Sequence, residues 1–431
     1  MPKPKKDKTS RKIKTKRNDT ISEDHKDAKK SPIRSSGNSK NGTEHLKLDC
    51  WHGLLPDEDT TDLLKEDGDF LVRGVQDTPG IYLSVKWGPQ IMNIAIVRQG
   101  DGRYRFRGKP FNTLKELLDH YQVRKMALPF EGDIKPVLGS PVLRKNWELR
   151  HGMIILGKQL GAGAYGTVYK GSLQKGMDKK PIEVAVKELS EMGFEASNAL
   201  WREARVMRDY DHPNVLRMYG VANDYMPFYL VMEFVPDGSL EDYFRKSDKA
   251  GKKITTLERI EILFQAAAGM EYLHSKGCIH RDIATRNILI DLNGPIVKVA
   301  DFGMTRRTSN YRIDPNKPMN LRWLAPEVYQ NAVVKKSTDV YAFGVTMYEC
   351  FTVPYDTPYK DWKPNTVYDK VVNKGYRLKP PHVMPREVGE LMKECLGPEN
   401  DRPSFRTIVQ KLEFKRRSCT DVALHFTPTQ V

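Results

Sequence analysis

Apolar and polar positions change period several times along the 431 residues, and each change marks an element. Trp51-His52-Gly53 leads into a short helix after Pro56, a Gly68-Asp69 turn and the apolar run Phe70-Leu71-Val72. Strand-like runs follow at Ile81 to Lys86, Ile91 to Arg98 and Arg103 to Arg107, where alternation and β-branched residues suit a half-buried pleated surface. A helix closes this set, with Leu114, Leu117, Leu118 and Tyr121 on one face and Thr113 where an N-cap is needed. The order helix, sheet, helix predicts an α+β module over residues 47–125. Residues 126–152 carry Pro129, Pro136 and Pro141 with Gly132 and Gly139, a linker composition, and Trp147 is placed to dock where the next domain starts.

From 153 to 416 the pattern is strand-like first, at Ile154 to Leu160, Thr167 to Ser172 and Ile182 to Glu188, then mainly helical. In one long helix Ile260, Leu263, Phe264, Ala267, Met270, Leu273 and His274 recur at helical spacing, with Thr255 and Glu258 as a capping box and Gly277 as the stop. This predicts a second, two-lobed α+β domain, followed by a C-terminal tail at 417–431.

Charge changes the picture at the N-terminus. Residues 1–46 are almost empty of large apolar side chains and cannot bury enough surface to offset their ordering entropy, so they are expected to be disordered. Positions 1–45 hold 14 Lys and Arg against 6 Asp and Glu, half of the chain's net +16. Three functional readings are open for this basic tail: attraction to an anionic membrane surface, a nuclear address, or loose nucleic-acid binding. A solubilising tail without a specific partner stands beside them. No aromatic residues interleave with its lysines, which argues against nucleic acid.

No apolar run approaches a membrane span of roughly 18 residues. The five cysteines, at 50, 278, 350, 395 and 419, show no CxxC spacing, and the N-terminus lacks a secretory pattern. A reducing, cytoplasmic setting is expected, peripheral to a membrane if the tail binds one. With Pro2 at one end and Thr-Gln-Val at the other, no lipid anchor is expected.

Four segments bring in the chemistry: Gly161-Ala162-Gly163-Ala164-Tyr165-Gly166, Val184-Ala185-Val186-Lys187, His280-Arg281-Asp282 with Asn287, and Asp301-Phe302-Gly303. The glycines lie between two strands, so the loop can fold over phosphates without side chains in the way. A dinucleotide fold would need a helix immediately after it. The order and spacing of the four, with Glu203 in a helix expected at 196–209, resemble the protein-kinase set. The resemblance implies that Lys187 contacts the α and β phosphates of ATP and is fixed by Glu203. Asp282 is then the catalytic base, and Asn287 and Asp301 offer oxygens to magnesium. Leu160, Gly161, Gly163, Gly166, Val168, Ala185 and Leu289 would surround the nucleotide, with Met232 at the back and the Glu233 to Val235 backbone supplying hydrogen bonds. His280 buttresses the catalytic loop. Arg281 would receive a phosphate on the activation segment, where Tyr311 is the natural autophosphorylation site.

Serine/threonine kinases usually carry lysine two residues after the base; here Ala284 stands there and arginine appears at Arg286, as in tyrosine kinases. Arg322-Trp323-Leu324-Ala325-Pro326-Glu327 is similar to the tyrosine-kinase segment that supports the acceptor ring. Asn320 stands near a position that is often proline, a departure expected to bear on peptide positioning rather than phosphate chemistry. Trp51-His52-Gly53, Phe70-Leu71-Val72-Arg73 and the Leu114 to Tyr121 helix resemble a Src-homology-2 (SH2) domain, which implies that Arg73 grips a phosphotyrosine phosphate bidentately. Gly74 and Val75 replace an acidic residue and a serine, Asp57 replaces a second arginine, and Asn93 and Ala95 replace a histidine and a basic residue, implying a weakened or altered pocket.

Together with Tyr210-Asp211-His212-Pro213-Asn214, Asp339 to Gly344 and Asp401-Arg402-Pro403, the whole resembles the Fes/Fer group of non-receptor tyrosine kinases. The basic tail stands where the resemblance would imply that group's long membrane-bending region, so its targeting behaviour is not expected here. The expectation is a kinase acting on protein tyrosines and recruited to tyrosine-phosphorylated proteins. A scaffold whose kinase fold turns over weakly is the alternative, and serine/threonine specificity a second enzymatic rival.

Overall fold

A computed structural model describes residues 44–75, 80–130, 133–163, 166–176, 178–189, 194–314 and 319–420. The tail at 1–43, Ala164 and Tyr165 of the glycine segment, and 421–431 lie outside them. In the N-terminal module, β1 (Trp51–Leu54), β2 (Phe70–Gly74), β3 (Ile81–Trp87), β4 (Gln90–Arg98) and β5 (Tyr104–Arg105) form one sheet in sequence order. β1 is parallel to β2 and the remaining pairs are antiparallel. Helices α1 (Asp57–Leu63) and α2 (Leu114–Val123) complete it. The Thr113 hydroxyl accepts the Glu116 N–H at 3.0 Å, the cap read from sequence. Trp51, Phe70, Val72, Leu83, Val85, Leu114 and Leu117 make the module's own core.

The next lobe is a six-stranded sheet of order β6-β10-β11-β9-β8-β7, comprising β6 (Glu148–Leu149), β7 (Ile154–Gly163), β8 (Gly166–Leu173), β9 (Ile182–Glu188), β10 (Met218–Ala222) and β11 (Tyr229–Glu233), with helix α3 (Phe194–Met207) between β9 and β10. β6 falls in the stretch with linker composition, yet it pairs in parallel with β10.

The larger lobe is mainly helical. It contains α4 (Leu240–Lys249), α5 (Thr256–Ser275), α6 (Pro326–Asn331), α7 (Lys336–Phe351), α8 (Pro364–Tyr368), α9 (Arg386–Cys395) and α10 (Phe405–Thr420). Short ladders pair β12 (Cys278–Ile279) with β15 (Arg306–Arg307), β13 (Ile288–Asp291) with β14 (Ile296–Val299), and β16 (Asn310–Arg312) with β17 (Val333–Lys335). The predicted capping box forms on α5, where Glu258 N–H donates to Thr255 at 3.2 Å and Thr255 N–H to Glu258 at 2.6 Å. Among the described residues no helix is long and apolar enough to cross a membrane.

Module and small lobe share a core. Leu55, Leu63 and Leu64 belong to the same apolar cluster as Leu200 and Trp201 of α3, and each fully buried leucine contributes roughly 2 kcal/mol. Trp147 meets Trp201 edge-on at 6.2 Å between centroids, the docking its position predicted. At Gly53 the backbones approach so closely that a Cβ would lie 2.5 Å from the Asn223 carbonyl, and φ there is +69°, so only glycine fits. Leu54 N–H donates to that carbonyl at 2.8 Å, and the Asn223 amide donates to His52 O at 2.8 Å.

Candidate functional site

The β7–β8 hairpin carries the glycine segment, with Gly161 opposite Val168 and Gly163 opposite Gly166. Gly166 has φ +141°, and a Cβ on it would lie 2.1 Å from the Glu188 carbonyl, so the turn requires glycine there. Lys187 on β9 lies between Val168 of β8 and Leu230 of β11, and its Nζ donates to Glu203 Oε2 on α3 at 2.6 Å. Burial pushes the Glu203 carboxyl above the ordinary range, opposed by the Lys187 ammonium. Leu160 is exposed, Val168, Ala185 and Leu289 are half-buried, and Met232 and Val235 are buried. The Glu233 N–H donates to Arg217 O at 2.9 Å, so a nucleotide contact from Glu233 would come from its carbonyl.

The catalytic loop is fixed from three sides. Asp339 at the start of α7 accepts the backbone N–H groups of His280 and Arg281, each at 2.8 Å, and the His274 ring at 2.9 Å. His280 is wholly buried and its Nε2 donates to Ala300 O at 3.0 Å, the buttressing role expected of it. Ala300 N–H donates to Asn287 O at 2.9 Å, which brings Asn287 beside Asp301. Asp301 is exposed with φ +61°.

Asp282 is surrounded by donors. Arg286 reaches its Oδ1 at 2.5 Å and the Asn287 amide its Oδ2 at 2.7 Å, the same amide also donating to Asp282 O at 2.7 Å. The Asn320 amide donates to Oδ1 at 2.8 Å. The expectation that Asn320 bears on peptide positioning alone is therefore corrected, because its side chain bonds the carboxylate proposed as the base.

Sequence reasoning missed the support beneath this loop. Glu349, wholly buried on α7, accepts from the Thr285 hydroxyl at 2.7 Å, the Trp323 indole at 2.8 Å and the Tyr355 hydroxyl at 2.9 Å. Burial raises its pKa, and those donors oppose the rise. Trp323 in turn stacks on Arg286, whose guanidinium carbon lies 4.2 Å from the indole centroid. The signal was present: Glu349 is the one charged residue after Asp339 in the run to Phe351.

On the activation side, the Tyr311 ring lies 4.4 Å from the Arg281 guanidinium carbon and 5.2 Å from that of Arg306. Burial favours the neutral phenol, but Arg306 and Arg281 outweigh it and hold the Tyr311 pKa below its ordinary value. The buried Arg281 Nε finds no acceptor among the described residues. A cavity of about 240 Å³ opens between the catalytic loop and this segment, lined by Asp282, Asp301, Asn320 and Trp323 among others.

Arg73 sits apart from these groups, wholly buried in the module's own sheet. Its Nε donates to Ser84 Oγ at 2.8 Å, Nη1 to Leu55 O at 2.6 Å, and Nη2 both to Asn93 Oδ1 at 3.0 Å and to the Asp57 carboxylate. The following turns of α1 face the small lobe. Asp59 takes a bidentate pair from Arg205 of α3, at 2.9 Å from Nε and 2.7 Å from Nη2, and Asp62 accepts from Arg208 at 3.2 Å. Arg205 stands two residues from Glu203, so the module grips the helix that carries the partner of Lys187.

Residues 154–412 match the description Protein tyrosine and serine/threonine kinase, and residues 51–121 match SH2 domain. The chain is 34% identical to the human tyrosine-protein kinase Fer over 86% of its length, covering 44% of that relative. It is 35% identical to the transforming protein Fps of avian sarcoma virus over 84%, covering 66% of it. It is 30% identical to the Fer-related kinase 1 of Caenorhabditis elegans over 89%, covering 97% of it. The chain thus spans less than half of the Fer relatives and almost all of the nematode one. Its matched region and its catalytic geometry put the chain in the protein tyrosine and serine/threonine kinase family, with an SH2 domain preceding the kinase domain.

Proposed function

We propose that the chain is an ATP-dependent, magnesium-dependent protein-tyrosine kinase. One observation carries this reading: an aspartate oriented by Arg286 and Asn287 lines one cavity with Asp301, whose charge in turn acts on the Glu203 carboxyl that is paired with Lys187. Asp282 would accept or orient the incoming phenol hydroxyl, while Lys187 binds phosphate oxygens and Glu203 keeps it extended. Asn287 spends its amide N–H groups on Asp282, which leaves its carbonyl oxygen for a cation, and Asp301 adds an exposed carboxylate. Such all-oxygen donors fit magnesium, which neutralises charge on the transferring group when bound.

Tyrosine as acceptor is supported at position 284, where a wholly buried Ala284 stands instead of a lysine, and at Arg286, whose guanidinium bonds Asp282. Phosphorylation at Tyr311 would place an anion against Arg281 and Arg306 and order the activation segment. In this reading Arg73 is the anchor for phosphotyrosine on partner proteins. A cytoplasmic setting fits the buried free thiols of Cys50, Cys278, Cys350 and Cys395, and the basic tail would supply any contact with anionic membranes.

The test is transfer of labelled phosphate from ATP to a tyrosine peptide by wild type and Asp282→Asn. A loss of about 1000-fold in kcat is expected for the variant. Equal background in both would favour a scaffold without turnover.

A further inference from the structure

We propose that Asp57 is an internal ligand of Arg73, occupying the place of a phosphate oxygen and making the SH2 domain a self-competed reader of phosphotyrosine. The inference rests on the reading of Arg73 as phosphate anchor, and adds what controls access to it.

A guanidinium grips phosphate through a pair of parallel N–H groups on one edge of its fork. Here the fork is already engaged: Nε on Ser84, Nη1 on the Leu55 carbonyl, and Nη2 on both Asn93 and Asp57. The Asn93 oxygen also accepts from Ser84 Oγ at 2.6 Å, so serine, asparagine and arginine form a closed polar floor. Of the four acceptors only Asp57 is charged, and it neutralises the guanidinium.

Burial separates Arg73, Ser84 and Leu55, all wholly buried, from the exposed plug, Asp57. The Arg73 side chain is 0% exposed and that of Asp57 is 74% exposed. Asp57 therefore covers Arg73 from the solvent side and can swing away about χ1 without disturbing the core, whereas Ser84 and Leu55 are held within the fold. An arriving phosphate dianion must displace this carboxylate and then tolerate its charge close by. The neighbouring acids do not share the role, since Glu58 and Asp59 are turned to Arg205 of the kinase domain.

The test titrates free O-phosphotyrosine into the full chain, without nucleotide, for wild type, Asp57→Asn, Asp57→Arg and Asp57→Asn/Arg73→Lys, with thermal melting to confirm folding. Removing one negative charge beside a dianion is expected to tighten binding more than threefold, about tenfold, with Asp57→Arg tighter again. The lysine double variant should fall back to wild-type affinity or below, because a point charge cannot replace the fork. Wild type and Asp57→Asn within threefold, or Asp57→Asn weaker, would overturn the plug while leaving the anchor standing, provided the Arg73 change still costs binding. Asp57→Asn/Arg73→Lys binding as tightly as Asp57→Asn would overturn the anchor, and the plug with it. The Asp57→Asn arm leaves Arg73 intact and adds no cation, so the plug stands or falls on it even where the double variant folds poorly.

Discussion

Lys187 in the kinase cleft and Arg73 in the SH2 domain are both cations suited to phosphate oxygens, and both are paired with a carboxylate. The pairs differ in the side from which the acid approaches. Glu203 is buried on α3 and meets Lys187 from within the small lobe. Asp57 is mostly exposed and meets Arg73 from the side on which a ligand would arrive. An acid behind the cation fixes its direction and leaves its outer face for substrate; an acid in front competes with the substrate. The same two residue types can therefore assemble a site or close it, and relative burial tells which.

This contrast sets opposite signs for two neutralising substitutions. Glu203→Gln keeps the shape of the inner partner but removes its charge. It should lower kcat/KM for peptide phosphorylation by about 100-fold, the scale of losing one preorganised electrostatic contact. A loss under threefold would mean that Glu203 does not position Lys187. Asp57→Asn should instead improve phosphotyrosine binding about tenfold. If both changes weakened their sites, the distinction between inner and outer acids would fail.

Smaller effects probe the connection between the two regions. Arg205→Ala leaves Asp59, which is 2% exposed, without its bidentate partner. A loss of about 2 kcal/mol in stability is expected in thermal or denaturant unfolding, less than for a fully buried pair because Arg205 is partly solvated. A several-fold fall in activity should accompany it, through loosening of α3. Unchanged activity with reduced stability would show that the docked α1 steadies the fold without steadying Glu203. The least effect is expected for Asn320→Ala, which takes one of three side-chain donors from Asp282. With Arg286 and Asn287 still in place, kcat should change by no more than about threefold, measured on the same peptide.

Much of this was legible in the sequence because it depends on local order. Strand alternation, the Thr113 cap, the Thr255–Glu258 box and the spacing from Gly161 to Asp301 each follow from neighbours within a few residues or from a fixed motif order. What escaped depends on which distant side chains meet. Asp57 was visible as a replacement for an arginine, but not as the partner of Arg73, because that contact requires the start of α1 to lie over β2. Asn320 and Asp282 meet only once the activation segment is folded across the catalytic loop. The strand pairing of Glu148 and Leu149 was hidden by the proline- and glycine-rich composition around it, since two residues give no periodicity to read.

The most direct measurement is identification of the phosphorylated amino acids after the full chain is incubated with ATP, magnesium and a mixture of tyrosine, serine and threonine peptides. Phosphotyrosine alone, on the peptide and at Tyr311, is the expected product. Phosphoserine or phosphothreonine as the main product, or no product under conditions where the protein is folded, would contradict a tyrosine kinase built on Asp282.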